Sequence, residues 1–351
     1  MRELLKRLSE AFGPSGYEDG VRDIIEDHIR ANMPKNAEVI KDNVGGIYLH
    51  IKNEGKPVFM VNAHMDEVGF MVSGITDKGL IRFGCIGGMN TIILGAKRVV
   101  FENGIKGVIA TKPIHLLTKE EKDKSPRLED MYVDIGAKNK EEAEKFVHVG
   151  DFFTFDSPYT EYGDGYIKCK ALDDRHGCAI MCKMIDTIAS TDAISEYDLW
   201  FAFTCREEVS YSGARAAAEY IRPDYALVLE SKAVQDMYGI PEEKRVGVLG
   251  DGAIISFADN STIYDRGLVS ELISICENNG IKYQMNKYIS GGNDASHIQR
   301  SIGGVRACLI SAPSRYIHSQ SNVVKYSDLD SMLSLALKLI GCKNTEIEDK
   351  I

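Results

Sequence analysis

The spacing of apolar residues divides the chain into mixed α and β sequence at both ends and β-rich sequence between them. Near the start, apolar positions 4, 5, 8 and 12 predict a helix that ends at the glycine and proline cluster 13–16. A second helix is predicted over about 21–31, and apolar runs at 39–40, 46–49 and 58–61 predict strands. The first part of the chain therefore indicates an α/β fold.

The pattern changes between about 67 and 163, where short β-type runs alternate with glycine-rich turns. Many short strands separated by turn signals are typical of a small β-barrel. Only the segment 125–145, with its clustered charges, is expected to form loop and helix instead. We therefore predict a small β domain, residues 67–163, inserted into a larger domain.

Mixed α and β patterning returns after about 165. The predicted elements are helices near 177–188 and 213–220 and strands at 199–204, 226–229 and 305–310. The larger domain is then discontinuous, formed by 1–66 and 164–351. The predicted fold class is α/β, with a mixed, doubly wound sheet and an inserted β-barrel.

Composition argues against several classes of function. The 351 residues include 42 Lys and Arg against 52 Asp and Glu, a formal net charge of −10, and nucleic-acid binding relies on cationic side chains. The charged start lacks the apolar core of a secretory signal, and no run approaches the roughly 20 apolar residues of a membrane span. We expect a cytoplasmic protein without nucleic-acid or membrane partners, whose eight cysteines, Cys342 included, are reduced core residues.

Several predicted strands finish at or near residues that bind divalent metal ions. In open α/β sheets such groups gather outside the carboxyl ends of the strands, so we expect them at one edge. They are His64 and Asp66 after 58–62, Glu207 and Glu208 after 199–204, Glu230 after 225–229, His318 after 305–310, and Asp173 with Asp174 before a helix. Taken singly, each has an ordinary interpretation, such as a surface pair, a helix cap or a solvated acid. Their shared placement makes a metal centre the better hypothesis.

The residue types in this set limit the choice of metal. Imidazole and carboxylate ligands together suit zinc, cobalt or manganese. Two histidines and several carboxylates exceed the needs of one four-coordinate ion, so we expect two ions with one bridging carboxylate. Asp66, two residues after His64, is placed to accept a hydrogen bond from the second imidazole nitrogen. One of Asp173 and Asp174 is expected to cap the following helix while the other faces the site.

Six short motifs, taken in order, resemble those of one enzyme family. They are GPSGYE at 13–18, NAHMDEVGF at 62–70, LDDR at 172–175, EEV at 207–209, GGNDA at 291–295 and RYIHS at 315–319. The chain resembles the M42 family of dinuclear metallo-aminopeptidases, whose members are labelled glutamyl aminopeptidase, TET-type aminopeptidase or endoglucanase. The resemblance includes KPIHLL at 112–117 and YVDIGA at 132–137 in the insert, and so spans essentially the whole chain.

The resemblance implies two divalent metal ions, zinc or cobalt with manganese as a further option, in sites that share Asp173 as a bridge. His64 and Glu230 would complete one site, and Glu208 and His318 the other. Glu230 departs from the commoner family pattern, in which an aspartate follows this strand. Because glutamate is still an oxygen ligand, we expect the site to persist with altered metal preference or affinity.

The implied reaction is removal of N-terminal residues from short peptides. Glu207 would be the general base, taking a proton from the attacking water and passing it to the leaving amine, while Asp66 would orient His64. The family fold implies a catalytic domain of the dinuclear zinc-peptidase type and a PDZ-like β insert. That insert would mediate dimerisation, with dimers assembling into a homo-oligomeric dodecamer.

The glycine-rich loop before position 295 is a candidate substrate-binding segment. Gly291, Gly292 and Asp294 are expected beside the metals, since glycine permits close backbone approach; a tight turn before the next helix is an equal interpretation. His297 is expected at the surface or behind the ligands. The run 248–253 departs from the family pattern and is interpreted as a turn variant or a change in the substrate pocket.

Two other functions are compatible with parts of the pattern. A glycoside hydrolase needs two carboxyls across the scissile bond, whereas Glu207 and Glu208 are sequence neighbours and the histidines would have no role. The other is a scaffold that has kept the fold and lost catalysis, suggested by Glu230. Chelator sensitivity tests the first alternative, and activity restored by added cobalt or zinc would eliminate the second.

Overall fold

The computed structural model describes residues 1–191 and 195–341, and Cys342 lies outside the described residues. The α-helices are α1 (Arg2–Glu10), α2 (Asp19–Ala31), α3 (Lys119–Lys122), α4 (Lys140–Ala143), α5 (Leu172–Thr191), α6 (Glu207–Ser210), α7 (Ser212–Ile221), α8 (Arg266–Asn279), α9 (Ala295–Gln299) and α10 (Tyr326–Leu339). The β-strands are β1 (Ala37–Lys41), β2 (Ile47–Ile51), β3 (Val58–His64), β4 (Gly69–Ile75), β5 (Ile81–Ile86), β6 (Arg98–Phe101), β7 (Lys106–Ala110), β8 (Tyr132–Asp134), β9 (Phe152–Phe155), β10 (Thr160–Tyr162), β11 (Tyr166–Cys169), β12 (Asp198–Thr204), β13 (Tyr225–Ala233), β14 (Ala253–Ile255), β15 (Tyr283–Met285), β16 (Arg306–Ser314) and β17 (Asn322–Lys325).

An eight-stranded sheet forms the centre of the larger unit, with the order β1-β2-β12-β3-β13-β16-β14-β15. Its four middle strands, β12, β3, β13 and β16, run parallel, whereas β2 and β14 join them antiparallel. The middle strands are almost continuously apolar and buried, as expected when helices cover a parallel sheet. Helices contact the sheet in two groups, one with α5, α8 and α10 and one with α7 and α9. The mixed α/β class predicted from the sequence is confirmed.

The insert forms a closed antiparallel barrel with the strand order β4-β5-β8-β7-β6-β9. Its core combines aliphatic side chains with five buried phenylalanines, of which Phe70 and Phe153 stack with ring centroids 4.8 Å apart. This core is separate from that of the large sheet, so the barrel buries its own apolar surface. The barrel expected from the sequence is therefore present, and all its strands lie within 67–163.

One barrel strand lies where the sequence indicated only loop and helix. Strand β8 falls inside 125–145 and pairs with both β5 and β7, so it is needed to close the barrel. Its three residues, with buried Val133 between two more exposed neighbours, are too few to produce a clear alternating pattern. The same segment does contain the expected short helix α4.

A small sheet, β10-β11-β17, was not predicted. It pairs the chain leaving the barrel with the strand that follows the last long strand of the main sheet. Strand β10 is exposed along its whole length, which explains why no apolar pattern revealed it.

Two parallel strands extend further than the apolar runs suggested. Strand β13 continues through Glu230 to Ala233 and pairs with β16, which continues to Ser314. The polar residues Ser231 and Lys232 interrupt the apolar pattern although the backbone pairing continues. Glu230 therefore lies within a strand and not at its end.

Two further features concern the cysteines and the helices of the described residues. The seven described cysteines are free thiols, of which six are buried and Cys85 is half-buried. Within residues 1–191 and 195–341, each helix is too short or too polar to cross a bilayer.

Candidate metal centre

Parallel strands bring the predicted metal-binding residues to one edge of the main sheet. His64 is the last residue of β3 and pairs in register with Thr204, the last residue of β12. Helix α6, which carries Glu207 and Glu208, begins three residues beyond Thr204. Glu230 lies on β13, the other neighbour of β3. Neighbouring parallel strands end at the same edge, so the order of the strands produces this grouping.

His64 is the centre of one group of possible ligands. Its Nε2 atom lies 3.7 Å from Asp173 Oδ1 and 3.9 Å from Glu230 Oε1. All three side chains are buried or nearly so. Ligand atoms of these three residues lie within 4.8 Å of one another, which is close enough for one ion to bind all of them.

His318 is the centre of a second group. Its Nε2 atom lies 3.1 Å from Glu208 Oε2 and 3.6 Å from Asp173 Oδ2. The two groups therefore meet at Asp173, which turns a different carboxylate oxygen toward each histidine. This is the shared arrangement that the family resemblance implied. A third set of ligand atoms, from His64, Glu207 and Glu208, also falls within 4.8 Å.

Two buried oxygens in the first group have no hydrogen-bond partner. They are Asp173 Oδ1 and Glu230 Oε1, the same atoms that lie nearest to His64 Nε2. Leaving a buried carboxylate oxygen unsatisfied costs at least about 1 to 3 kcal/mol. A divalent cation would satisfy both atoms, and a set of imidazole and carboxylate donors suits zinc, cobalt or manganese. The residues present therefore fit a metal centre.

The charged side chains of the candidate metal centre can bind either protons or metal cations. Burial alone would lower the pKa of His318, but the Glu208 carboxylate raises it to about 9. Burial raises the pKa of Glu207 well above its usual range; His64 opposes this shift, and the neighbouring carboxylates Glu230 and Glu208 add to it. Crowded carboxylates of this kind are stabilised when a cation lies among them.

Asp66 contacts His64 in a different way from the one expected. His64 Nδ1 lies 3.1 Å from the main-chain oxygen of Asp66 and 3.4 Å from its Oδ1 atom. The carboxylate instead accepts hydrogen bonds from the amides of Glu207, at 3.0 Å, and Glu208, at 3.1 Å, and from the Ser15 hydroxyl, at 2.5 Å. Burial alone would raise the pKa of Asp66, but His64 and these donors hold it below its usual value. Asp66 therefore contacts His64 chiefly through its backbone and binds the α6 turn through its side chain.

The two adjacent aspartates take separate roles. Asp173 faces the histidines, whereas Asp174 Oδ1 accepts a hydrogen bond from the Gly177 amide at 3.2 Å. Both have non-helical backbone angles, so the regular part of α5 begins after them. The expectation that one aspartate caps the helix while the other faces the site agrees with these contacts.

A cavity of about 390 Å³ opens beside the two groups and is lined in part by the glycine-rich loop. Gly291, whose φ of +75° is the left-handed region that favours glycine, lines it together with Gly292. Tyr211 and Lys232 lie on other parts of the wall. Gly291 and Gly292 therefore both turn the chain and border the cavity.

Asp294 does not line the cavity, as a residue that contacts the substrate would. It is fully buried, and its Oδ2 atom accepts hydrogen bonds from Asn62 Nδ2 at 2.9 Å and Thr204 Oγ1 at 2.8 Å. These partners belong to β3 and β12, so the carboxylate joins the two strands just before the site. Its side chain is kept from the cavity because two interior polar groups need an acceptor. His297, expected at the surface or behind the ligands, stacks on Tyr211 with ring centroids 5.1 Å apart.

Sequence reasoning missed two groups that contact the site. Ser15 donates to Asp66 and lies in the GPSGYE motif, so the resemblance contained a signal for it. Gly88, in the turn after barrel strand β5, places its carbonyl oxygen 2.7 Å from His318 Nδ1. No sequence pattern marks a backbone carbonyl, so this contact requires the structure.

The run 248–253 lies away from the cavity lining. The amides of Gly250 and Gly252 donate to the buried carboxylate of Asp328 on α10, at 2.8 and 2.9 Å. Of the two interpretations, these contacts favour a turn variant.

Known proteins are similar to this chain over most of its length. A family model described as M42 glutamyl aminopeptidase matches residues 45–335. The chain belongs to the M42 aminopeptidase family. This M42 member is 33% identical to a TET aminopeptidase from a marine sediment archaeon, Thaumarchaeota archaeon SCGC AB-539-E09; the match covers 97% of this chain and 95% of that one, with a TM-score of 0.92.

Two further proteins extend the comparison. The TET1 peptidase of Pyrococcus horikoshii is 32% identical, with 97% of this chain and 98% of that one covered and a TM-score of 0.83; that protein can assemble into a tetrahedron or a large octahedral shell. The lysyl aminopeptidase of Pyrococcus furiosus is 29% identical over 352 residues, 96% of each chain. The family resemblance is thus confirmed, and the chain is a peptide hydrolase.

Proposed function

We propose that this M42 member is a dinuclear metal-dependent aminopeptidase that removes N-terminal residues from short peptides. The observation that carries the proposal is the pair of three-residue groups that share Asp173, each with ligand atoms within 4.8 Å of one another. His64 and Glu230 would hold one ion with Asp173, and Glu208 and His318 would hold the other. Zinc or cobalt is the expected metal, with manganese as a further option.

Two cations held in these groups would polarise the substrate carbonyl and lower the pKa of a water molecule. The chain itself would supply the proton transfer. Glu207 lines the cavity beside both groups and is not needed as a ligand in either. Its carboxylate would accept a proton from the attacking water and deliver it to the nitrogen of the leaving amine.

Asp66 would position this base. It accepts hydrogen bonds from the Glu207 and Glu208 amides, and its main-chain oxygen faces His64 Nδ1. Through these contacts one residue would set the direction of a metal-binding histidine and of the turn that carries the base.

We propose that catalysis and dimerisation are carried by different domains, with the boundaries expected from the sequence. Residues 1–66 and 164–351 would carry catalysis, and the insert 67–163 would mediate dimerisation within a dodecamer of this chain. The barrel exposes large apolar side chains, among them Met71, Ile92 and Val149, which are typical of a protein interface. The tetrahedral assembly of the Pyrococcus horikoshii relative supports the same proposal. The cytoplasmic location stays a prediction.

The test is hydrolysis of a panel of aminoacyl p-nitroanilides by protein stripped with a chelator and reloaded with zinc, cobalt or manganese. N-acetylated substrates provide the matched control, because an aminopeptidase requires a free amine. We expect cleavage of free-amine substrates only, dependent on added metal and lost in Glu207→Gln. Light scattering on the same sample measures whether the particle contains twelve chains.

Two results would contradict the proposal. Cleavage that survives metal removal would show that the catalytic step does not need the ions. Two bound ions without cleavage of any free-amine substrate would show that the chain is the inactive scaffold suggested by Glu230 or acts on another amide bond.

A further inference from the structure

His318 lies on a loop whose backbone is under strain. The loop runs from the end of β16 to the start of β17, and both Tyr316 and His318 have positive φ, at +56° and +58°. Residues other than glycine rarely have a positive φ, and such backbone conformations persist only where surrounding contacts hold them. Arg315 supplies one such contact through a bidentate ion pair with Asp236, at 2.6 and 2.7 Å.

The Arg315 ion pair fixes the start of the loop but not the imidazole ring of His318. That side chain is 34% exposed, the most open of the five proposed ligands. On the side of the ring opposite Nε2, Nδ1 forms a hydrogen bond with the Gly88 carbonyl. A carbonyl is only an acceptor, so Nδ1 carries a proton in this contact, and Nε2 faces Asp173 and Glu208.

The turn that carries Gly88 is also packed against Glu208. Gly87 has a φ of +85°, and a Cβ added there would lie 2.8 Å from Val68 Cγ1 and 3.3 Å from Glu208 Cβ. A Cβ added at Gly88 would meet only His318 Nδ1, at the ordinary distance of 3.8 Å. The turn therefore touches two residues of the same group, one by a hydrogen bond and one by close packing.

We propose that the barrel turn Gly87–Gly88 is a positioning element for the metal site formed by Asp173, Glu208 and His318. The turn orients His318 through the Gly88 carbonyl and holds Glu208 through the close approach of Gly87. The insert would then contribute to the catalytic centre as well as to assembly. This inference rests on the proposed two-metal function.

The structure offers a matched pair of variants for the test. Gly87→Ala strains the turn and pushes against Val68 and Glu208, whereas Gly84→Ala, on β5, adds the same methyl group where no atom beyond its chain neighbours lies within 4 Å. Gly87→Asn is a second form of the first variant, because asparagine tolerates positive φ better than alanine while adding the same Cβ. It serves if Gly87→Ala does not fold.

The measurement is zinc stoichiometry and affinity, by mass spectrometry of the metal content after equilibration in zinc buffers, on the full chain. For Gly87→Ala or Gly87→Asn we expect one of the two ions to bind at least tenfold more weakly, with the other within about threefold of the unsubstituted chain. Gly84→Ala should keep both affinities within about threefold. With zinc limiting, kcat should fall while KM changes little.

Each other outcome overturns a defined part of the argument. Two ions bound with unchanged affinity in both Gly87 variants would overturn the positioning role of the turn. Equal weakening of both ions, or the same weakening in Gly84→Ala, would overturn it as well, because the effect would not be specific to the group with His318. An unsubstituted chain that binds fewer than two ions would overturn the two-metal function on which the inference rests.

Discussion

The amide nitrogen of Glu207 lies 3.0 Å from Oδ1 of Asp66, so the proposed base is tied to the loop that follows the strand carrying His64. The next amide, that of Glu208, donates to the other oxygen of the same carboxylate. Helix α6 has only four residues and follows Arg206, whose φ is +59°. So short a helix has little stability of its own, and the Asp66 carboxylate fixes its direction.

Asp66→Asn should therefore lower activity without removing the metal ions. The amide group offers one acceptor and turns an N–H₂ donor toward one of the two backbone donors, so one of those hydrogen bonds is lost. We expect kcat to fall about 10- to 100-fold, the range found when groups that orient metal ligands are replaced. Steady-state kinetics with metal analysis of the same sample provides the measurement.

Ser15→Ala is the control for Asp66→Asn. It removes the hydroxyl that donates to Asp66 but leaves both amides with their acceptor. Its effect on kcat should be clearly smaller than that of Asp66→Asn. Equal losses in the two variants would mean that the amide contacts are not what matters.

Glu207→Gln and Glu208→Gln should separate proton transfer from metal binding. The first keeps the shape of the side chain and removes its basic oxygen, so kcat should fall by about 10² to 10⁴ with both ions retained. The second removes the carboxylate charge that lies 3.1 Å from His318, so one ion should be lost or weakened. If Glu207→Gln lost an ion and Glu208→Gln did not, the two assignments would have to be exchanged.

How far the sequence could predict this site depends on how each side chain reaches it. His64 ends one long apolar strand and Glu207 follows another, and the parallel pairing of the two strands places both residues at one edge, so a pattern of strand ends was enough. Glu230 was found for the same reason, although the polar residues after it hid the continuation of β13. These residues are fixed by regular secondary structure, which apolar spacing encodes.

Asp294 and Gly88 lacked such a signal. Asp294 belongs to the glycine-rich loop that we expected beside the metals, but its carboxylate lies in the interior, where it accepts hydrogen bonds from Asn62 and Thr204. Gly88 acts through a main-chain oxygen, and the contact joins residues 230 positions apart. Such contacts depend on how the barrel and the main sheet pack, which local sequence does not encode. Strand β8 was missed because three residues are too few to form a pattern.

Shortening Glu230 should change the metal centre selectively. Its Oε1 atom lies 3.9 Å from His64 Nε2 and has no hydrogen-bond partner, so Glu230→Asp would withdraw this oxygen by about one C–C bond. We expect the ion in the His64 group to bind about tenfold more weakly and the ratio of zinc to cobalt affinity to change. Competition with a chromogenic chelator measures both quantities. Affinities equal to those of the unsubstituted chain within about threefold would show that the glutamate is not adapted to its site.

A buried carboxyl outside the metal centre predicts a pH effect on stability. Burial raises the pKa of Asp328 to about 6 from 3.8, although the amides of Gly250 and Gly252 oppose this shift. An acid with a raised folded-state pKa binds its proton more tightly when folded. Stability therefore falls as pH rises from about 4 to about 6, and the loss is complete above that range.

Asp328→Asn should remove this slope. Between pH 5 and pH 8 the unsubstituted chain should lose about 1 kcal/mol relative to the variant, whatever the constant cost of the substitution. Urea unfolding midpoints at several pH values provide the comparison, and Asp27→Asn, an exposed aspartate on α2, is the control. A difference between Asp328→Asn and the unsubstituted chain that does not vary with pH would contradict the prediction.

Lys232 should influence which N-terminal residue is removed. It lines the cavity and donates to the Ser290 carbonyl oxygen at 2.8 Å, beside the glycine-rich loop. Burial lowers its pKa, although Asp259 and Glu230 oppose that shift. Similarity does not decide the preference, since the family model is described as glutamyl and one relative is a lysyl aminopeptidase.

An ammonium group on the cavity wall favours an acidic side chain and repels a basic one, so Lys232→Met should lower kcat/KM for glutamyl p-nitroanilide about tenfold relative to leucyl p-nitroanilide. Methionine keeps much of the length and apolar surface of lysine, which limits the change to the charge. Lys232→Arg, which keeps the charge, should retain most of the glutamyl preference. If the ratio of glutamyl to leucyl activity is the same in Lys232→Met as in the unsubstituted chain, the ammonium does not contact the substrate and the specificity lies elsewhere on the wall.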